Sequence, residues 1–297
     1  MLYVILRMKS PRRDTLQLYQ VAMDPEGQQS RYAIHAACRE GQSEFYDCVL
    51  VATIYLHNTA NVVESLLNAD RRLASRRDDD DRLPLHWAAS YNRVAIVELL
   101  ADQKGFDIDA QDGSGWTALM MAASLKDSDA LVDLLLVKGA DVNEKTNNGQ
   151  TALHFCASKS NLDTARKLIA HKASARVKDK RGQLALHRGA AVGNVPIVKL
   201  MLENKSPINA TDMDGSTALH HVRTAESRRA MPDADSIYNQ AIAEGHGDTA
   251  LALLKAGAET DKKDGNNKLA IDLAPDAKIR SYILRAAEEE GIELLPA

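Results

Sequence analysis

The chain has 297 residues, a formal net charge of −4, 45% hydrophobic and 26% charged residues, an ordinary balance for a water-soluble protein. It is too close to neutral to mark a polyelectrolyte as ligand, and no basic stripe interleaved with aromatics points to nucleic acid. No apolar stretch approaches the roughly 20 residues of a membrane-spanning helix, and Cys38, Cys48 and Cys156, without C-x-x-C spacing, read as reduced thiols of a cytoplasmic or nuclear protein.

The apolar run Leu2–Leu6 is followed, not preceded, by Arg7, Lys9, Arg12 and Arg13, the reverse of a secretory signal. Residues 1–29 show no period and are expected to be a disordered extension, with Met23-Asp24-Pro25 just before the periodic part. From residue 30 to the end a unit recurs. Its core is LPLH at Leu83–His86, TALM at Thr117–Met120, TALH at Thr151–His154, LALH at Leu184–His187 and TALH at Thr217–His220. Leu85, Leu119, Leu153, Leu186 and Leu219 are spaced by 34, 34, 33 and 33 residues. That period, with a T-P-L-H-x-A core, is the signature of the ankyrin repeat.

Degenerate copies stand at Ala33–Ala37 and Leu269–Asp272, each separated from its neighbour by one period plus an excess of 18 or 19 residues. Setting aside about 43–60 and 222–240 restores an uninterrupted register of seven repeats. The second insert, Arg- and Asp-bearing without apolar period, reads as disordered. It interrupts a first helix, and its Val222 and Gln240 are compatible with codons that begin with GT and end with AG, so it reads as a translated intron. The predicted fold is an all-α solenoid of seven helix-turn-helix repeats with projecting loop fingers.

Within a unit, the Thr is placed to cap the first helix, and the Leu and following Ala pair, such as Ala88-Ala89, let neighbouring helices approach. A second helix carries a heavier stripe (Ile96, Val97, Leu99, Leu100), and Gly139 ends one such helix as a left-handed cap. Asp- and Gly-rich turns such as Asp112–Gly115 form the fingers. His86, His154, His187 and His220 fall one per unit, so no two share a helix face as metal ligands would. They read as structural ties to neighbouring backbone.

Asp78-Asp79-Asp80-Asp81 crowds four acids onto one finger, a strong local field for an Arg- or Lys-rich partner. It lacks the alternating ligands of a calcium loop. Trp87 and Trp116 lie beside the fingers, and Trp is enriched at binding hot spots.

Four runs resemble the gankyrin family, the ankyrin-repeat chaperones of the proteasome regulatory particle. They are Asp81–Ser90 (DRLPLHWAAS), Asp112–Thr117 (DGSGWT), Lys178-Asp179-Lys180 with Leu186–Asn194 (LHRGAAVGN), and Ala241–Asp248 (AIAEGHGD). The resemblance implies that a concave face of fingers and first helices grips the C-terminal domain of an ATPase subunit of the proteasome base, largely through charge pairs. It implies contacts at Asp80, Arg82, Trp87, Asp112, Trp116 and Lys159, with Asp79 and Asp81 flanking. The family carries an acid where this chain has Gly113. No G-x-S-x-G, P-loop or H-E-x-x-H motif is present, so the reading is non-catalytic, monomeric, and without metal or cofactor. A signalling or transcriptional ankyrin adaptor is the alternative.

Overall fold

The computed structural model describes residues 60–222, 247–274, 277–292 and 294. The expected extension 1–29, the first-repeat core at Ala33–Ala37 and nearly all of both inserts lie outside those residues. Helix α1 (Ala60–Ala69) is the second helix of the first repeat. Four complete helix pairs follow: α2 (Pro84–Ser90) with α3 (Val94–Ala101), α4 (Ala118–Ser124) with α5 (Asp129–Val137), α6 (Ala152–Lys159) with α7 (Leu162–Ala170), and α8 (Ala185–Val192) with α9 (Val195–Glu203). In the sixth repeat residues 218–221 form only a turn before the described chain stops at Val222, and 247–255 are helical. The seventh comprises a 3-10 turn (Ala270–Leu273) and α10 (Ala277–Glu289). Among the described residues there is no strand, only an isolated bridge between Lys263 and Leu269, and no helix is long and apolar enough to cross a membrane.

First helices stack on first helices, and second helices on second helices. The stacking works because one face of each is apolar and small. Leu85, Leu119, Leu153 and Leu186 are at most 1% exposed, and Ala88, Ala89, Ala122, Ala123, Ala157 and Ala190 are fully buried between them. No single repeat has a core of its own, and each completes its neighbour's. Gly139 (φ 89°) closes α5 with its own amide on Leu136 O and the next on Leu135 O, as its sequence position predicts. In the seventh repeat α10 buries Ile279, Ile283 and Ala287, and its Tyr282 hydroxyl donates to Asp248 of the sixth repeat at 2.6 Å. Ion pairs such as Lys167 with Asp129 (3.0 Å) and Asp133 (2.8 Å) bridge adjacent second helices. Being exposed, they contribute little.

The recurring histidines tie each unit to the next. In His86, His154, His187 and His220, Nδ1 accepts the backbone N–H of the residue three before it, at 2.9–3.2 Å. Nε2–H then donates across the repeat boundary, to Ala110 O and Trp116 O, Gln183 O, Ala210 O and Lys268 O respectively. Where the histidine is present, Thr151 and Thr217 turn their hydroxyls to Nδ1 instead of capping the helix. Only Thr117, whose unit has Met120 in the histidine's place, caps a backbone N–H.

This double role requires a neutral ring, because a protonated Nδ1 would face another donor. Burial holds all four histidines below the ordinary range, and at His187 burial and the nearby His221 bring the value to about 4. A histidine depressed in the folded state stabilises it fully above the unfolded pKa, about 6.5. The stabilisation is lost as pH falls from there through the folded value. For His187 the loss approaches about 3 kcal/mol at full protonation. Denaturant titrations are therefore predicted to show unfolding free energy dropping steeply between about pH 6.5 and 4, and a flat profile there would contradict the neutral-tie account.

Candidate protein-binding face

The fingers are built one way throughout. Asp78, Asp112, Thr146, Asp179, Asp212 and Asp264 each open a five-residue hairpin, the backbone N–H of the first residue bonding the carbonyl of the fifth at 2.9–3.0 Å. Each opening side chain accepts the N–H groups of the third and fifth residues, as Asp112 does from Ser114 and Trp116, both at 2.9 Å. The fourth residue is left-handed: Asp81, Gly115, Gly149, Gly182, Gly215 and Asn267. This is a turn followed by a left-handed residue, which favours Gly and tolerates Asp or Asn.

The finger is also strapped to its own first helix. Nine residues after the opening Asp, Trp87 Nε1 donates to Asp78 (2.8 Å), Arg188 to Asp179 (2.9 Å), and His221 Nε2 lies 2.8 Å from Asp212. In the third and fourth repeats the same position is Met121 and Phe155, which cannot make the strap. Instead Trp116 stacks on Phe155 with ring centroids 4.1 Å apart, and Asp112 is met by Arg82 from the preceding repeat at 3.5 Å. The middle of this face is therefore apolar, with polar straps on either side.

Asp79 and Asp80 sit exposed at the fingertip, and the Asp80 carbonyl accepts the N–H of Gly113 on the next finger. Asp81 takes the left-handed position (φ 63°), held by Arg77, which donates to its carbonyl at 2.6 Å. Arg82 lies over the Trp87 ring, 5.3 Å from its centroid, within cation–π range. Trp87 is half-buried and stacks on Tyr91, and Lys159 is exposed in the last turn of α6, two repeats along the row that Tyr91 begins. These residues share the finger-side face of the first-helix row.

Asp112 requires a correction. The expectation was a finger acid displayed to a partner, but its side chain is only 4% exposed, spent on two backbone amides and Arg82. What that finger presents instead is the part-buried Trp116, beside Arg82 of the preceding finger. Gly113 is a steric requirement here: a Cβ would lie 2.9 Å from the Asp80 carbonyl oxygen. Tyr91, Phe155, Arg188 and His221 were missed as members of the face. Adding 33 or 34 to Trp87 finds the last three, and the i+4 spacing from Trp87 finds Tyr91. Among the described residues no group of three or more His, Cys, Asp or Glu is placed to hold a metal.

Two family models described as ankyrin repeats match residues 12–112 and 49–144, and 121–169 and 156–202. The chain belongs to the ankyrin-repeat family. It is 34% identical over 238 residues to an ankyrin repeat-containing protein of Schizosaccharomyces pombe, covering 78% of this chain and 92% of that one. It is 32% identical over 259 residues to the Saccharomyces cerevisiae protein named "Probable 26S proteasome regulatory subunit p28", covering 86% of this chain and 98% of that one. The fold matches the ankyrin repeat domain of Bcl-3, a member of the IkappaB family, with a TM-score of 0.59 at 22% identity over 80% of this chain and 97% of that domain. Ankyrin repeats make this chain a protein-binding scaffold.

The two acids that begin adjacent ankyrin fingers differ from those at the tip, and substitution separates them. Asp112→Ala strips two backbone amides of their acceptor and is predicted to cost about 2 kcal/mol in denaturant unfolding. Asp79→Ala, at the exposed tip, leaves the unfolding midpoint unchanged. Equal effects from the two would refute the structural role given to Asp112.

Proposed function

We propose that the chain is a gankyrin-type chaperone of the proteasome regulatory particle, a monomeric, non-catalytic scaffold of cytoplasm and nucleus. It holds the C-terminal domain of a base ATPase subunit against its fingers and first helices. The observation that carries this reading is the near full-length similarity to the yeast protein named as a proteasome regulatory subunit. The physical arrangement supports it: exposed Asp79 and Asp80 offer negative charge, while Arg82, the Trp87–Tyr91 stack, the Trp116–Phe155 stack and Lys159 form a mixed apolar and cationic floor. Such a face suits a partner helix with basic residues at one edge and an apolar stripe beside them. Rim charges chiefly set association rate and salt dependence, and buried aromatics set the lifetime of the complex.

Affinity capture of the tagged chain from its native lysate, read by mass spectrometry, tests the proposal. Base ATPase subunits should be enriched, less so at high salt, where exposed pairs are screened. Asp79→Lys with Asp80→Lys should weaken capture about tenfold while thermal unfolding stays unchanged. Enrichment of signalling or transcription proteins with no ATPase subunit would overturn the proposal and favour an ankyrin adaptor.

A further inference from the structure

Charge is segregated along the solenoid in a way the face described above does not use. Residues 78–144 hold fourteen acids and five bases, whereas residues 145–205 hold twelve bases and three acids. Within the basic half, Arg166, Lys167 and Arg188 are paired with carboxylates. Lys172, Arg176, Lys180, Arg181 and Lys205 are exposed and form no ion pair among the described residues. Lys180 and Arg181 are the tip of the fifth finger, the place that Asp79 and Asp80 take on the second and Asn147 and Asn148 on the fourth.

Two of these cations are held at a conformational cost. The residue that closes the second helix is left-handed in successive repeats: Gly105, Gly139, Lys172, Lys205 and Gly257, with φ between 61° and 89°. At the three glycines an added Cβ would meet nothing within 4 Å, so glycine serves there for its backbone freedom alone. Lysine at 172 and 205 accepts backbone strain that glycine would avoid. A cation beside a helix C-terminus gains a little from the helix dipole. That gain does not explain why the loop and fingertip that follow Lys172 also carry Arg176, Lys180 and Arg181. Strain kept where charge gathers points to binding.

We infer that the finger end of the fourth and fifth repeats is a second docking surface, made by Lys172, Arg176, Lys180, Arg181 and Lys205, for a short acidic segment of a partner protein. A protein segment fits better than nucleic acid for two reasons. Residues 156–222 contain no Phe, Tyr or Trp on which bases could stack. A long polyanion would also run into the acidic half of the same molecule, whereas a run of Asp and Glu can end within the basic half.

Fluorescence anisotropy with the full chain and a fluorescein-labelled deca-glutamate peptide tests this. The peptide should bind in low salt and release as salt rises. Lys180→Glu with Arg181→Glu should weaken binding at least tenfold. Lys126→Glu with Lys199→Glu, the same charge change away from this surface, should alter it less than twofold. Lys172→Gly should weaken binding while raising the melting temperature by a few degrees. Equal losses from the two double reversals would reduce the effect to net charge and overturn the proposal. Failure of the peptide to bind, tighter binding of a labelled ten-nucleotide oligouridylate, or an unchanged melting temperature in Lys172→Gly with binding intact would each overturn it too.

Discussion

One backbone hydrogen bond per repeat sets the spacing of everything this molecule displays. The second residue of a finger, or its equivalent, donates its N–H to a carbonyl at the tip of the finger before it: Gly113 to Asp80, Asn147 to Ser114, Lys180 to Asn148, Met213 to Arg181 and Gly265 to Asp214, all at 2.8–3.0 Å. The fingers are thus a ladder and not a set of independent loops. The ladder leaves so little room between rungs that a Cβ at Gly115 would lie 2.5 Å from the Asn147 amide nitrogen. Loops projecting from a solenoid would ordinarily lose conformational entropy on gripping a partner. Here that ordering is completed by folding, and the partner meets a preformed surface.

Three further devices keep the ladder aligned with the helices. Neutral histidines fasten four of the units, all but the one that carries Met120, to the backbone of the next repeat. The opening Asp or Thr of each finger satisfies the hairpin's own amides. The straps from Trp87, Arg188 and His221 fix fingers to helices. The repeats that lack a strap are those whose first helices carry Met121 and Phe155, and there aromatic stacking takes over. The same lattice position therefore holds the finger in some repeats and offers apolar surface in others, so the solenoid makes its binding face by substitution within a constant frame. Function rests on those variable positions while the fold rests on the constant ones.

The parts of this architecture that a sequence displays are those carried by side chains at a fixed period. The T-A-L-H core announced the units, and the recurrence of one His per unit pointed to the ties to neighbouring backbone that the hydrogen bonds make. The finger ladder left no such trace because backbone groups bond it, and only the recurring Gly at 115, 149, 182 and 215 hints at close approach. The strap was hidden for a different reason: Trp87, Arg188 and His221 do one job with three chemistries, so no motif recurs. Asp112 was misplaced because an acid in a turn looks the same in sequence whether its carboxylate meets solvent or backbone. Asp79, Asp80 and Lys159, by contrast, stand on exposed surface, at the fingertip and at the end of a first helix.

The central claim is that the fingers are rigid before any partner arrives. Native-state hydrogen exchange resolved at single amides tests it most directly, by following Gly113, Asn147, Lys180, Met213 and Gly265 in the free chain. The ladder predicts that these five exchange slowly, with opening free energies close to those of the neighbouring first helices. Exchange at the rate of unprotected loop amides, while the helices remain protected, would show the fingers to be mobile and contradict the account.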